Sequence, residues 1–215
     1  MVDTKQLINQ LSAEATPVKI VRPERYAAFL LALLSIYAMC AQCWLEGFRP
    51  DLAMQLTRPL FMVELLLLAA MLVSASLASV YAMLPDGAQR KTLMRLPYVF
   101  SGGMLALVII QIFLPQDAHM VMSDADSHTH ECTQYIALSS ILPAALIFGL
   151  LRKGASVMPM QAGLLAVIAA VSVGAITLRL AEANDDIMHL LTWHYLPSIF
   201  FASLGALLGR YLLRW

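Results

Sequence analysis

Apolar residues run along this chain in six long blocks, and most polar residues fall in the gaps between them. The blocks are Ala27–Leu45, Leu60–Leu84, Tyr98–Pro115, Cys132–Leu151, Met160–Leu180 and Trp193–Leu213. A helix needs about 17–25 such residues, at about 1.5 Å of rise each, to cross a hydrocarbon core. Every block meets that length. The pattern predicts an all-α, polytopic membrane protein with six transmembrane helices joined by short loops. Composition agrees, with 60% hydrophobic residues and a mean hydropathy of +0.73. A soluble domain of this size would carry charge along its helices, and here charge sits almost only between the blocks.

The net charge is zero, but its placement is uneven. With the N-terminus in the cytoplasm, the inner segments collect 11 of the 14 basic residues, Lys5, Lys19, Arg22, Arg25, Arg90, Lys91, Arg95, Arg152, Lys153, Arg210 and Arg214. The outer loops keep Arg49, Arg58 and Arg179. The excess of Lys and Arg on the cytoplasmic side of membrane proteins therefore places both termini in the cytoplasm. The polar first 26 residues, and a first block that is long and lacks a small-residue cleavage site, read as an uncleaved anchor rather than a signal peptide. The chain divides into a cytoplasmic segment, 1–26, and a six-helix membrane domain, 27–215.

In the first segment, Asp3 or Thr4 is placed to cap a short helix, with Gln6 as the return partner of Asp3. Leu7, Ile8 and Leu11 form a narrow apolar stripe, and Thr16–Pro17 ends the helix. A helix of about three turns is marginal alone in water, so its order is expected to come from a surface it lies on. That surface is either lipid headgroups or a protein partner, and the few basic residues within the helix weaken the lipid reading.

The loops are too short to house an enzyme's active site, and no phosphate-binding glycine loop, nucleophile elbow or paired-cysteine zinc motif is present. The small residues of the spans, Gly205 and Gly209 among them, are suited to close helix packing. Glu64 is the one acidic side chain well inside a block, with Arg58 or a residue of another helix as its candidate partner. The metal-ligating residue types gather in two outer loops. One carries His119, His128, His130, Glu131 and Cys132; the other carries Glu182, Asp185, Asp186, His189 and His194. Imidazole and thiolate together suit zinc, copper, nickel or cadmium. Candidate metal- or redox-sensing residues are Cys132, His128, His130, Glu131, Glu182, Asp185 and Asp186. The alternative reading is a solvated polar loop with helix caps. Cys40 and Cys43, three apart in the first block, read as small apolar filler.

Short motifs recur in order along nearly the whole chain: Leu7-Ile8-Asn9-Gln10-Leu11 through Thr16-Pro17-Val18 to Val21-Arg22-Pro23, then Glu131-Cys132, Leu142-Pro143 and Arg152. Pro159 with Ala162-Gly163, Trp193, and the closing Gly209-Arg210-Tyr211-Leu212-Leu213-Arg214-Trp215 complete the series. In this order and spacing they resemble the NrsF family of six-span inner-membrane anti-sigma factors. The resemblance implies a bacterial inner-membrane protein that holds an extracytoplasmic-function sigma factor through its N-terminal segment, with Leu7, Ile8, Leu11 and Val18 as contacts. It implies release on a heavy-metal or oxidant signal sensed through two outer cysteines. Cys132 matches the first, while the place of the second falls near Glu182. The implied partners are the sigma factor and the bilayer, without direct nucleic-acid contact. No cofactor is required, and a transient heavy-metal ion at the outer face is the candidate ligand. A small metal or cation transporter, with the outer His/Asp/Cys cluster as entry site, is the alternative. A redox enzyme built on Cys40 and Cys43 ranks last, because no helix N-terminus is there to activate a thiol.

Overall fold

The computed structural model describes residues 3–14, 22–44, 47–114 and 129–214, and every regular element among them is helical. In chain order these are α1 (Thr4–Glu14), α2 (Pro23–Trp44), the short α3 (Leu52–Gln55), α4 (Pro59–Ala82), a 3₁₀ turn (Pro85–Gln89), α5 (Lys91–Phe113), α6 (Thr129–Leu151), α7 (Pro159–Ala181), α8 (Ile187–His189), a π-helical turn (Leu190–Tyr195) and α9 (Leu196–Leu212). Among the described residues, six segments are long and apolar enough to cross a membrane: α2, α4, α5, α6, α7 and the run Ile187–Leu212. The expected all-α architecture of six long apolar helices is what the chain adopts.

Proline sets several helix starts. Arg58 is extended (φ −85°, ψ 123°), as the residue before a proline prefers, and Pro59 opens α4 where no intrahelical N–H is needed. Pro159 likewise stands at the start of α7, here after a Met158 that is not extended. Pro97 and Pro143 instead lie within α5 and α6. The missing N–H of Pro143 leaves the Ser139 carbonyl without its helical donor, and Tyr37 on α2 supplies one, Oη to O, at 2.8 Å. The third span starts earlier than the expected Tyr98. The helix runs through the proline from Lys91 and carries Arg95 at its polar end.

Helix α7 is the centre of the bundle. It is buried along most of its length and packs against α9, α4, α6 and α2. Its residues are small where neighbours come closest. A methyl group placed on Gly163 would lie 2.2 Å from the Gly205 carbonyl oxygen, and one on Gly209 would lie 2.2 Å from that of Pro159. The α7 and α9 backbones therefore touch without side chains between them, as small residues allow where lipid removes the hydrophobic drive. Alternate spans run in opposite directions, giving the bundle two unlike ends. One, the basic end, carries Arg22, Arg25, Arg90, Lys91, Arg95, Arg152, Lys153 and Arg210. Here Tyr81 donates to Glu24 at 3.0 Å and Arg90 stacks on the Tyr81 ring. The other end carries Cys132, Arg49, Glu182 and Asp185. Helix α1 buries none of its residues against the bundle.

Candidate functional site

At the Cys132 end, two polar clusters flank the turn that joins α7 to α8. The first is an ion network. Arg179, near the end of α7, donates from Nε and Nη2 to both carboxylate oxygens of Glu64 on α4, at 2.8 and 3.1 Å. The Tyr195 hydroxyl also donates to Glu64. Arg179 Nη2 reaches Asp185 at 3.0 Å and Nη1 reaches the Asn184 carbonyl at 3.1 Å. Arg49 clamps Asp185 with two bonds, at 2.9 and 2.7 Å, and Asp51 with two more, at 2.6 and 2.9 Å. Its own backbone N–H caps the Leu180 carbonyl at 2.9 Å, one of the orphan acceptors at the end of α7. Arg49 holds the Asp51 carboxyl down at about 2. Burial pushes Asp185 up, but Arg49 and Arg179 outweigh it and leave its pKa below the ordinary value. The two arginines, neutralised by three carboxylates, fix α4, α7 and both loops to one another.

The second cluster joins Cys132 on α6, Glu182 on the turn, His189 on α8 and His194 in the π-helical turn. One ligand-type atom from each of the four lies within 4.8 Å of all the others. Cys132 Sγ is 3.4 Å from Glu182 Oε1 and 3.6 Å from His189 Nε2. His189 Nε2 lies 3.0 Å from Glu182 Oε1, and His194 Nε2 lies 3.0 Å from Glu182 Oε2. His194 is 1% exposed, and among the described residues neither of its ring nitrogens is in hydrogen-bond geometry with a partner, the Glu182 contact being an ion-pair distance. Burial raises the Glu182 pKa, and the His194 and His189 imidazoles more than offset this, leaving it below the ordinary value. Thr133 ties α6 to the π-helical turn by donating to the Trp193 carbonyl at 2.7 Å.

The structure sorts the sequence-predicted residues. It brings Cys132 and Glu182 together and adds His189 and His194 to them. Asp185 faces away into the ion network, and Asp186 caps α8 by accepting from the His189 N–H at 2.9 Å. Glu131 is exposed in the first turn of α6. His128, the His130 side chain and Val18 lie outside the described residues. Two expectations are corrected. The last span begins at Ile187 rather than Trp193, so His189 and His194 are buried helical residues and not loop residues. Arg179 is likewise a buried partner on α7, not a loop cation, and it, rather than Arg58, pairs with Glu64. The signal that pointed to the histidines was weak, because a spacing of five residues shares a face only on a π-helical turn. Cys40 and Cys43 are exposed on α2, and none of the three cysteines forms a disulfide.

These features define a helical membrane protein with a buried thiol, carboxylate and imidazole cluster at one end and an uncovered amphipathic helix ahead of its first span. The family model described as NrsF, negative regulator of sigma F, matches residues 11–215, and the chain belongs to that family. It is thus a negative regulator of a sigma factor. No curated protein and no solved structure matches the chain.

Proposed function

We propose that this chain is a bacterial inner-membrane anti-sigma factor that acts by binding and not by catalysis. Its cytoplasmic N-terminal segment holds an extracytoplasmic-function sigma factor at the membrane, and an outer-face heavy-metal or oxidant signal releases it. The observation that carries this is α1. Leu7, Ile8 and Leu11 are 47%, 58% and 61% exposed, an apolar stripe that the bundle leaves uncovered in a chain of the negative-regulator family. An amphipathic helix with such anchors suits docking into a partner's groove, with Val18 as a further contact. Both termini lie in the cytoplasm on this reading, with the basic end inward and the Cys132 end outward. The structure also bears on the transport alternative: Glu64, the carboxylate a cation path would use, is fixed by Arg179 and Tyr195.

Burying one leucine is worth about 1.5–3 kcal/mol. Replacing both Leu7 and Leu11 by Asp removes two anchors and adds charge to the interface. The full-length L7D/L11D variant is expected to bind its sigma factor at least roughly 100-fold more weakly. Co-purification of the detergent-solubilised chain with sigma factors expressed beside it measures this. Equal capture by the variant and the parent chain would refute the assignment of the segment.

A further inference from the structure

We propose that Cys132, Glu182, His189 and His194 are the four ligands of one borderline-soft divalent cation of the zinc or cadmium type. The inference deepens the signal-release reading and rests on it for its biological role, but not for the existence of the site. It replaces a sensing pair of thiols with a mixed set in which a single thiolate is joined by one carboxylate and two imidazoles.

Three observations converge on it. The first is distance. Zinc bonds of about 2.0–2.1 Å to imidazole or carboxylate and about 2.3 Å to thiolate set tetrahedral edges of roughly 3.3–3.6 Å. Three edges drawn through Glu182 Oε1, Cys132 Sγ and His189 Nε2 are 3.4, 3.6 and 3.0 Å, and His194 Nε2 lies 3.0 Å from the other oxygen of the same carboxylate. With every ligand-type atom within 4.8 Å of the others, a shift of about 1 Å closes the remaining ones.

The second is the state of His194. A buried polar side chain is nearly always hydrogen-bonded. At 1% exposure His194 has neither ring nitrogen bonded, and the nearby Glu182 Oε2 is also without a hydrogen bond. An imidazole nitrogen and a carboxylate oxygen 3.0 Å apart, outside hydrogen-bond geometry, are a pair that a cation placed between them would organise. The third is charge. One thiolate and one carboxylate balance a dication, so the loaded site is neutral, which a low-dielectric interior favours.

The backbone is built for the arrangement. On an α-helix, residues five apart point about 140° away from each other. The turn after His189 is π-helical, with the i→i+5 repeat that stacks residues five apart. The His189 and His194 rings accordingly lie 5.5 Å apart, edge to face. Asp186 fixes the start of this segment and Thr133 its middle, so His189 and His194 sit on tethered backbone beside Cys132. On binding, the Cys132 thiol loses its proton to solvent and the thiolate takes the metal.

The test uses the full-length, reduced chain in detergent micelles with cobalt(II) as the probe and zinc as the competitor. One equivalent of cobalt is expected to give an intense tetrahedral visible spectrum with a thiolate-to-cobalt charge-transfer band, both erased by zinc. Cys132→Ser is expected to abolish the charge-transfer band. His194→Gln is expected to keep the band but weaken zinc by more than the roughly 10–100-fold that loss of an outer-shell partner costs. A C40S/C43S double variant is expected to match the parent chain. A pale octahedral spectrum without the band in the parent chain overturns the proposal and needs no variant to fold. So does loss of the band in C40S/C43S, or unchanged zinc affinity in a folded His194→Gln chain. Because sigma binding is not part of this assay, a chain that binds metal but does not release sigma would refute the release reading and leave the site standing.

Discussion

Arg179→Leu tests whether the ion network is the fixed frame on which the cysteine cluster is mounted. Arg179 and Glu64 have side chains 3% and 2% exposed, and Arg179 makes two bonds to Glu64, one to Asp185 and one to the Asn184 carbonyl. Removing the arginine leaves the Glu64 carboxylate buried with Tyr195 as its remaining bonded partner. Breaking a buried pair in this way costs about 3–5 kcal/mol, because the surviving charge is uncompensated. Removing both charges is much cheaper, since the desolvation cost vanishes with them. A double-mutant cycle with Glu64→Leu should therefore show a coupling energy of about 2–3 kcal/mol, with the double variant more stable than Arg179→Leu alone. Equilibrium unfolding in mixed detergent micelles, followed by far-ultraviolet circular dichroism, measures each corner of the cycle. A loss below about 1 kcal/mol for Arg179→Leu, or additive single effects, would refute the reasoning.

Two further outcomes follow from the geometry. Gly163→Val should destabilise the chain strongly, because even its first added atom would lie 2.2 Å from the Gly205 carbonyl oxygen, and backbone cannot rotate away. Gly102→Val, where an added Cβ meets nothing within 4 Å, is the control and should be tolerated in the same unfolding assay. Asp51 has a folded pKa of about 2 against an ordinary 3.8, so its pairing with Arg49 stabilises fully above about 3.8 and is lost as pH falls toward 2. Asp51→Asn should flatten the acid limb of the stability–pH curve in that window, and an unchanged limb would count against the pairing.

The spans were legible because membrane thickness imposes a length that six unbroken blocks satisfy. Their ends were less so, for physical reasons that differ between them. At Pro97 a proline signals a stop in water, yet within a bundle the helix runs on through it and Lys91 becomes its start. At His189 and His194 the polar rings interrupt the hydropathy, although each is buried. Cys132 and Glu182 could be picked out by residue type. That Asp185 would turn to Arg49 and Arg179, while Glu182, three residues earlier, turned to the histidines, depends on where α4 and the 49–51 loop lie. No local pattern carries that. The Glu64–Arg179 pair spans 115 residues and was open in sequence for the same reason.

The π-helical turn has a consequence for how such a chain can diverge. Relative to an α-helix, a π segment accommodates one surplus residue. Deleting a single residue between Leu190 and Trp193 would restore the α repeat and leave His189 and His194 four residues apart. On an α-helix residues four apart share a face, so His189 and His194 would stay side by side while α9 keeps its glycine contact with α7. One residue more or less in this turn is thus a length change that related chains can absorb while the two imidazoles keep a common face.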